Sequence, residues 1–116
     1  MKSGWIGVDL DGTLAQYNGW MGECHIGKPI PAMVERVKEW LAEGRTVKIF
    51  TARVTEGGVN LDGSPHDVSE VKKVIGDWCE EHIGQRLEVT NIKDWAMLEL
   101  WDDRAVQVLM NTGRRV

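Results

Sequence analysis

The sequence predicts an α/β protein built on an open, mostly parallel sheet with helices layered on its faces. Three observations carry that prediction. Short β-branched or apolar runs alternate with amphipathic helical stretches along the chain. The first strand, helix and second strand follow one another at the spacing of a βαβ unit, which pairs its strands in parallel. The 116 residues, 42% hydrophobic and 28% charged, suffice for one core and leave no room for a second domain.

The elements follow in order. Ile6-Gly7-Val8 begins a short apolar strand that runs into Asp9-Leu10-Asp11-Gly12-Thr13. Residues 15 to 28 are glycine-rich without sustained periodicity and read as a loop or flap. Pro31 opens a helix whose apolar face is Met33, Val34, Val37, Trp40 and Leu41, with Glu35, Arg36, Lys38, Glu39 and Glu43 opposite. Gly44 stops it. Thr46 to Phe50 is the second strand, ending at Thr51-Ala52-Arg53. A loop over 54 to 66 precedes a second helix, whose start is signalled twice, by Ser64-Pro65 and by Asp67-x-x-Glu70. Its apolar stripe is Val68, Val71, Val74, Ile75, Trp78, Cys79 and His82, and Gly84 ends it. Leu87 to Thr90 reads as a third strand and Met97 to Trp101 as a fourth, delivering Asp102-Asp103. Ala105 to Leu109 is expected to add a fifth before Asn111-Thr112-Gly113 turns the chain.

Composition narrows the class of function. A formal charge of −4, without a long basic block, disfavours affinity resting on nucleic-acid phosphates. No run approaches the ~18 apolar residues of a membrane span, and no apolar leader precedes the first strand, so no membrane association is expected. Cys24 and Cys79 form no Cys-x-x-Cys pair and suggest free thiols in a reducing, cytoplasmic setting. Trp5, Trp40, Trp78 and Trp101 fall inside strand or helix patterns as core filling. Trp20 and Trp95 fall in loops, where a role facing a substrate or partner stands beside simple packing.

The chemistry is concentrated at Asp9-x-Asp11-Gly12-Thr13. Strand alternation places both carboxylates on one side while the chain stays extended. Gly12 lets the backbone turn, and Thr13 offers a hydroxyl and an N–H. Average residue usage makes this pattern a chance event in about one window in 10⁵. In open α/β sheets the ligand site lies beyond the carboxyl ends of the strands, and Asp9, Asp11, Thr51 and the pair Asp102-Asp103 are all placed there. Carboxylates gathered at one edge repel unless a cation joins them, and an all-oxygen set suits Mg²⁺. A metal with a hydroxyl and a lysine nearby is what phosphoryl transfer requires. Asp9 then reads as the nucleophile and Asp11 as the acid and base. Thr51 and Lys93 contact the phosphoryl group. Asp102 reads as a metal ligand, and Asp103 as a second ligand or as the group orienting a metal-bound water. Lys72 and Lys73 are alternative lysines, but they lie within the second helix.

At these residues the sequence resembles the haloacid dehalogenase-like hydrolase superfamily, through Asp9-x-Asp11-Gly12-Thr13, the strand ending in Thr51, a downstream lysine and Asp102-Asp103, in matching order over nearly the whole chain. The resemblance implies a Rossmann-like three-layer sandwich, Mg²⁺ dependence and hydrolysis of a phosphomonoester through an aspartyl phosphate. Asp9, Asp11, Thr51 and Lys93 would be catalytic. Asp9, Asp102, Asp103 and the backbone carbonyl of Asp11 would hold the metal, and Gly12, Thr13, Ala52 and Arg53 the substrate. A second acid two residues after the nucleophile is characteristic of the phosphatase branches. There is no room for a cap domain beyond the loops 15 to 28 and 54 to 66. An uncapped site implies a bulky phosphorylated substrate such as a nucleic-acid end or phosphoprotein, or closure by a neighbouring copy in a homo-oligomer; a small phosphorylated molecule stays open as well. Tyr17, Asn18, Trp20, Arg53 and His66 are the candidates for substrate contact, with His25 and His82 behind them.

Two other classes compete. A receiver-type domain also groups acids, a hydroxyl and a lysine around Mg²⁺, but it places a lone acceptor Asp after a later strand, where this chain has Thr51. A catalytically silent relative that binds phosphate or metal would retain the same fold. Intact acids at every motif position argue against it.

Overall fold

The computed structural model describes residues 3–116. The chain forms β1 (Trp5–Val8), α1 (Pro31–Ala42), β2 (Thr46–Phe50), a single 3₁₀ turn (Ala52–Val54), α2 (Val68–His82), β3 (Glu88–Thr90) and β4 (Met97–Trp101). All strands are parallel in the order β3-β2-β1-β4. The protein is therefore an α/β fold with an open parallel sheet of Rossmann-like type. The chain runs outward from β1 through β2 to β3, then returns to pair β4 on the other side of β1. That reversal opens a crevice at the carboxyl end of β1, where such folds bind ligands.

The helices form where the patterns place them. Pro31 begins α1, which buries Met33, Val34, Val37 and Trp40. Gly44 takes a left-handed φ of 80°, and Arg45 N–H reaches back to the Trp40 carbonyl at 3.0 Å, a Schellman ending. Of the two start signals for α2, the structure uses Asp67, whose side chain accepts from Glu70 N–H. Ser64 belongs instead to the preceding loop, where its hydroxyl donates to Asp62 at 2.6 Å. The α2 stripe buries Val71, Ile75, Trp78 and Cys79, while His82 stays partly exposed beside the Trp78 ring.

Ile6 and Val8 of β1, their β2 partners Val47 and Ile49, and Val89 of β3 share one core cluster with the buried residues of both helices. Both helices thus cover the same face, as two successive right-handed crossovers in one direction require. Trp5 and Gly7 alternate to the other face, where Trp5 stacks on Phe50 at 6.4 Å and Lys48 lies over its ring at 4.6 Å. No helix covers that face among the described residues.

Two expectations are corrected. The first strand ends at Val8, and the last ladder bond beyond it is Asp9 N–H to the Trp101 carbonyl at 2.9 Å. The chain then turns, with the Leu10 carbonyl accepting from Leu14 and Ala15 N–H. The fifth strand does not join the sheet. Residues 107 to 109 pair with 114 to 116 in a small hairpin, with Leu109 N–H to Arg114 O at 2.7 Å and Val116 N–H to Gln107 O at 3.0 Å. The reversal uses Asn111 at φ 67° and Gly113 at φ 73°. The β-forming run thus pairs with the last residues of the chain, across the turn at 110 to 113, and not with the edge strand β4. The expected turn at Asn111-Thr112-Gly113 is formed.

No helix among the described residues is long and apolar enough to cross a membrane. Both cysteines are free, Cys24 exposed and Cys79 buried.

Candidate active site

Three carboxylates meet at the crevice. One oxygen from each of Asp9, Asp102 and Asp103 lies within 4.8 Å of the others. Pairing of β1 with β4, in register Val8 with Trp101, sets the first residue past each strand side by side. The loop before β4 is anchored so that this register holds: Trp5 Nε1 donates to Asp94 at 2.8 Å, and Asp94 also accepts from Ala96 N–H at 2.9 Å. These bonds hold the Asp94 carboxyl below its ordinary value.

Gly12 makes the cluster possible. Its φ is 87°, and a Cβ there would come within 2.5 Å of an Asp103 carboxylate oxygen. Thr13 ties the acids together: its hydroxyl lies 3.3 Å from both Asp9 Oδ2 and Asp103 Oδ1 and accepts from Asp103 N–H at 3.0 Å. Its single proton serves one carboxylate at a time. Thr13 is thus an organiser of the acids and is not part of the cavity wall.

The electrostatic consequence falls on Asp9. Burial, the negative charge of Asp102, and a hydrogen bond and charge from Asp103 push its carboxyl from 3.8 up to about 7, opposed weakly by the Thr13 hydroxyl. A divalent cation among these oxygens would reverse the repulsion, and a set of carboxylates alone is the donor chemistry of Mg²⁺. The Asp11 carbonyl, free of hydrogen bonds among the described residues, adds a neutral oxygen of the kind such a cation takes.

Asp11 is differently occupied. Its two oxygens accept from Arg53 Nε at 2.8 Å and from Arg53 Nη2 at 2.7 Å, a bidentate pair between residues 42 apart in sequence. Arg53 Nη1 donates further to the carbonyls of Glu23 at 2.7 Å and Gly22 at 3.3 Å, and its guanidinium lies 4.8 Å from the Trp20 ring centre. Arg53 is buried, as is Glu23. His66 completes the network, with Nε2 facing the Arg53 carbonyl at 2.6 Å and Nδ1 facing Glu23 at 3.4 Å. One arginine thereby fastens the flap after β1 and the loop after β2 to the acidic turn.

These groups line a cavity of about 760 Å³ that includes Asp9, Asp11, Thr51, Ala52, Asp102 and Arg104. Thr51 is buried, caps the 3₁₀ turn by accepting from Arg53 N–H at 3.2 Å, and keeps its hydroxyl proton available. Tyr17, Trp20 and His66 line the same cavity, whereas Asn18 and His25 line a smaller one beside it. Lys93 is exposed in the loop between β3 and β4 and lies outside the cavity lining, as do Lys72 and Lys73 on α2. The cation at the wall without an ion pair among the described residues is Arg104. Sequence reasoning did not single out Arg104 or Glu23; position 104, directly after the acidic pair at the end of β4, was the signal that could have found the first.

No family model matches the chain, and no curated protein does. Among solved structures the chain is similar to a conserved protein from Bacteroides thetaiotaomicron, with a TM-score of 0.59 and 21% sequence identity over 90% of this chain and 79% of that one. At that identity the likeness establishes the shared α/β fold.

Proposed function

We propose that this protein is a Mg²⁺-dependent phosphomonoester hydrolase that works through an aspartyl phosphate, and that it belongs with the haloacid dehalogenase-like hydrolases its motifs resemble. The observation that carries the reading is the convergence of Asp9, Asp102 and Asp103 beside Thr51 in one cavity at the sheet's switch point. Asp9, Asp102, Asp103 and the Asp11 carbonyl would hold the cation. When bound, it would neutralise the carboxylates and the charge on the phosphoryl oxygens.

The chain's own groups supply the rest. An Asp9 oxygen attacks phosphorus, the bond from phosphorus to the ester oxygen breaks, and the alcohol leaves with a proton. Water then attacks phosphorus, the bond to Asp9 breaks, and inorganic phosphate is released. Thr51 donates its hydroxyl proton to a phosphoryl oxygen, and Arg104 sets a positive charge at the same wall. Asp11 carries the proton between the two half-reactions. Arg53 holds both Asp11 oxygens, and the proton moves through the lone pair that the bidentate bonds leave free on each oxygen. Arg53 is thus a positioning residue for Asp11. Lys93 reaches the cavity only if the loop over 91 to 96 moves, and Arg104 takes the charge-neutralising role in this proposal.

The test is hydrolysis of an aryl phosphate with and without Mg²⁺. Activity that needs the cation and disappears in Asp9→Asn supports the reading. Equal turnover by wild type and Asp9→Asn contradicts it.

A further inference from the structure

The cavity is far larger than a phosphoryl group needs, and beside its acids it has an aromatic and apolar lining. Tyr17, Trp20 and Val59 line it. Tyr17 is 50% exposed and Trp20 45%, whereas Trp5, Trp40 and Trp78 are buried. The Trp20 ring is backed by the Arg53 guanidinium at 4.8 Å, and that guanidinium is itself fixed by Asp11 and by the Gly22 and Glu23 carbonyls. The flap carrying both aromatics is pinned at its ends, with Gln16 N–H to Lys28 O at 2.8 Å and Ile30 N–H to Leu14 O at 2.8 Å. Trp78 Nε1 also donates to the Gly27 carbonyl at 3.1 Å.

An aromatic face held in place before ligand arrives loses little freedom on binding, and its stacking affinity is correspondingly better realised. The hydrogen-bonding groups near it are engaged with one another: Glu23 with His66, and Arg53 with Asp11. A polyhydroxylated sugar body would find few free partners there. A flat ring needs only a face.

Resting on the phosphatase reading, we propose that the leaving group is a nucleoside, so that the substrate is a nucleoside monophosphate, free or at the end of a strand, with its base against Trp20 and Tyr17. The cavity volume suits a ligand of that size.

The test compares adenosine 5′- and 3′-monophosphate with ribose 5-phosphate, which keeps the phosphate and sugar and lacks the base. One adenosine monophosphate should exceed ribose 5-phosphate in kcat/KM by roughly 5- to 100-fold. That ratio should collapse toward one in Trp20→Ala and persist in Trp20→Phe, which keeps a ring. Equal rates on the three esters in wild type, or a ratio that survives Trp20→Ala, overturns the inference. A 5′-phosphorylated oligonucleotide then distinguishes the source: preference for it assigns a strand end, and preference for the mononucleotide assigns a free nucleotide. If neither these esters nor an aryl phosphate is turned over, titration calorimetry of wild type with Mg²⁺ separates the two readings. Adenosine monophosphate binding more tightly than ribose 5-phosphate, with the gain lost in Trp20→Ala, upholds the base platform while the phosphatase reading falls. Equal binding overturns both.

Discussion

Replacing Asp9 by Asn should stabilise the protein in the absence of divalent cations, and only above mildly acidic pH. In the native chain the Asp9 carboxyl is pushed from 3.8 to about 7, so between those values the folded state holds a proton that the unfolded chain has released. Stability supplied by this group is complete below pH ~4 and is lost as pH rises through about 7. At ~1.4 kcal/mol per pKa unit the full effect is ~4 kcal/mol, and solvent screening at a half-open site reduces it to about 1–2 kcal/mol. Asn keeps an oxygen to accept from Thr13 and removes the charge facing Asp102 and Asp103. The assay is thermal unfolding of both proteins with chelator from pH 4 to 8. A gain of about 1–2 kcal/mol should shift the Asp9→Asn midpoint upward by roughly 4–10 °C at pH 8, with the difference vanishing near pH 4. A variant no more stable than wild type at pH 8, or a difference that does not change with pH, would refute the repulsion argument.

Adding Mg²⁺ at pH 8 should raise the wild-type midpoint, by ~2.7 kcal/mol of stability when its concentration is 100 times Kd, and should move Asp9→Asn far less; equal shifts in the two would count against a site at these acids. Arg53→Ala strands Asp11 and the Gly22 and Glu23 carbonyls, and unfolding should show a loss of about 2–4 kcal/mol. Arg53→Lys, which restores charge without the bidentate fork, should recover only part of it. Gly12→Ala meets both the 87° φ and the Asp103 carboxylate, so hydrolysis should fall by at least about tenfold, with a stability loss of ~1–3 kcal/mol. Arg104→Ala should raise KM for an aryl phosphate severalfold, whereas Lys93→Ala should leave it near the wild-type value.

The parts of the molecule legible in the sequence are those written in local periodicity. Both helices, the β2 run, the Asp67 cap and the positions of Asp9 and of Asp102-Asp103 just past β1 and β4 each depend on residues a few positions apart and formed where the pattern set them, although Val68, Val74 and His82 of the α2 stripe are only partly buried. The pairing of Asp11 with Arg53 was not legible, because nothing within 42 residues of chain encodes which arginine meets which acid. The same holds for Glu23 with His66, which joins two loops without periodicity of their own. Position in sequence set Lys93 close to β4, but the Trp5–Asp94 bond fixes that loop with the lysine outside the cavity. Residues 105 to 109 had strand composition, yet composition does not name the partner strand. Asp9 and Asp11 reached one cavity by a turn at Leu10 where continued extension had been expected.

The account turns on a covalent bond between Asp9 and phosphorus. Rapid acid quench of the protein during turnover of an aryl phosphate with Mg²⁺, followed by peptide mass analysis, tests it most directly. Phosphate carried on the peptide containing Asp9, and absent from Asp9→Asn, is the predicted result. Steady hydrolysis with no phosphorylated Asp9 at any quench time, or with the phosphate on another residue, would contradict it.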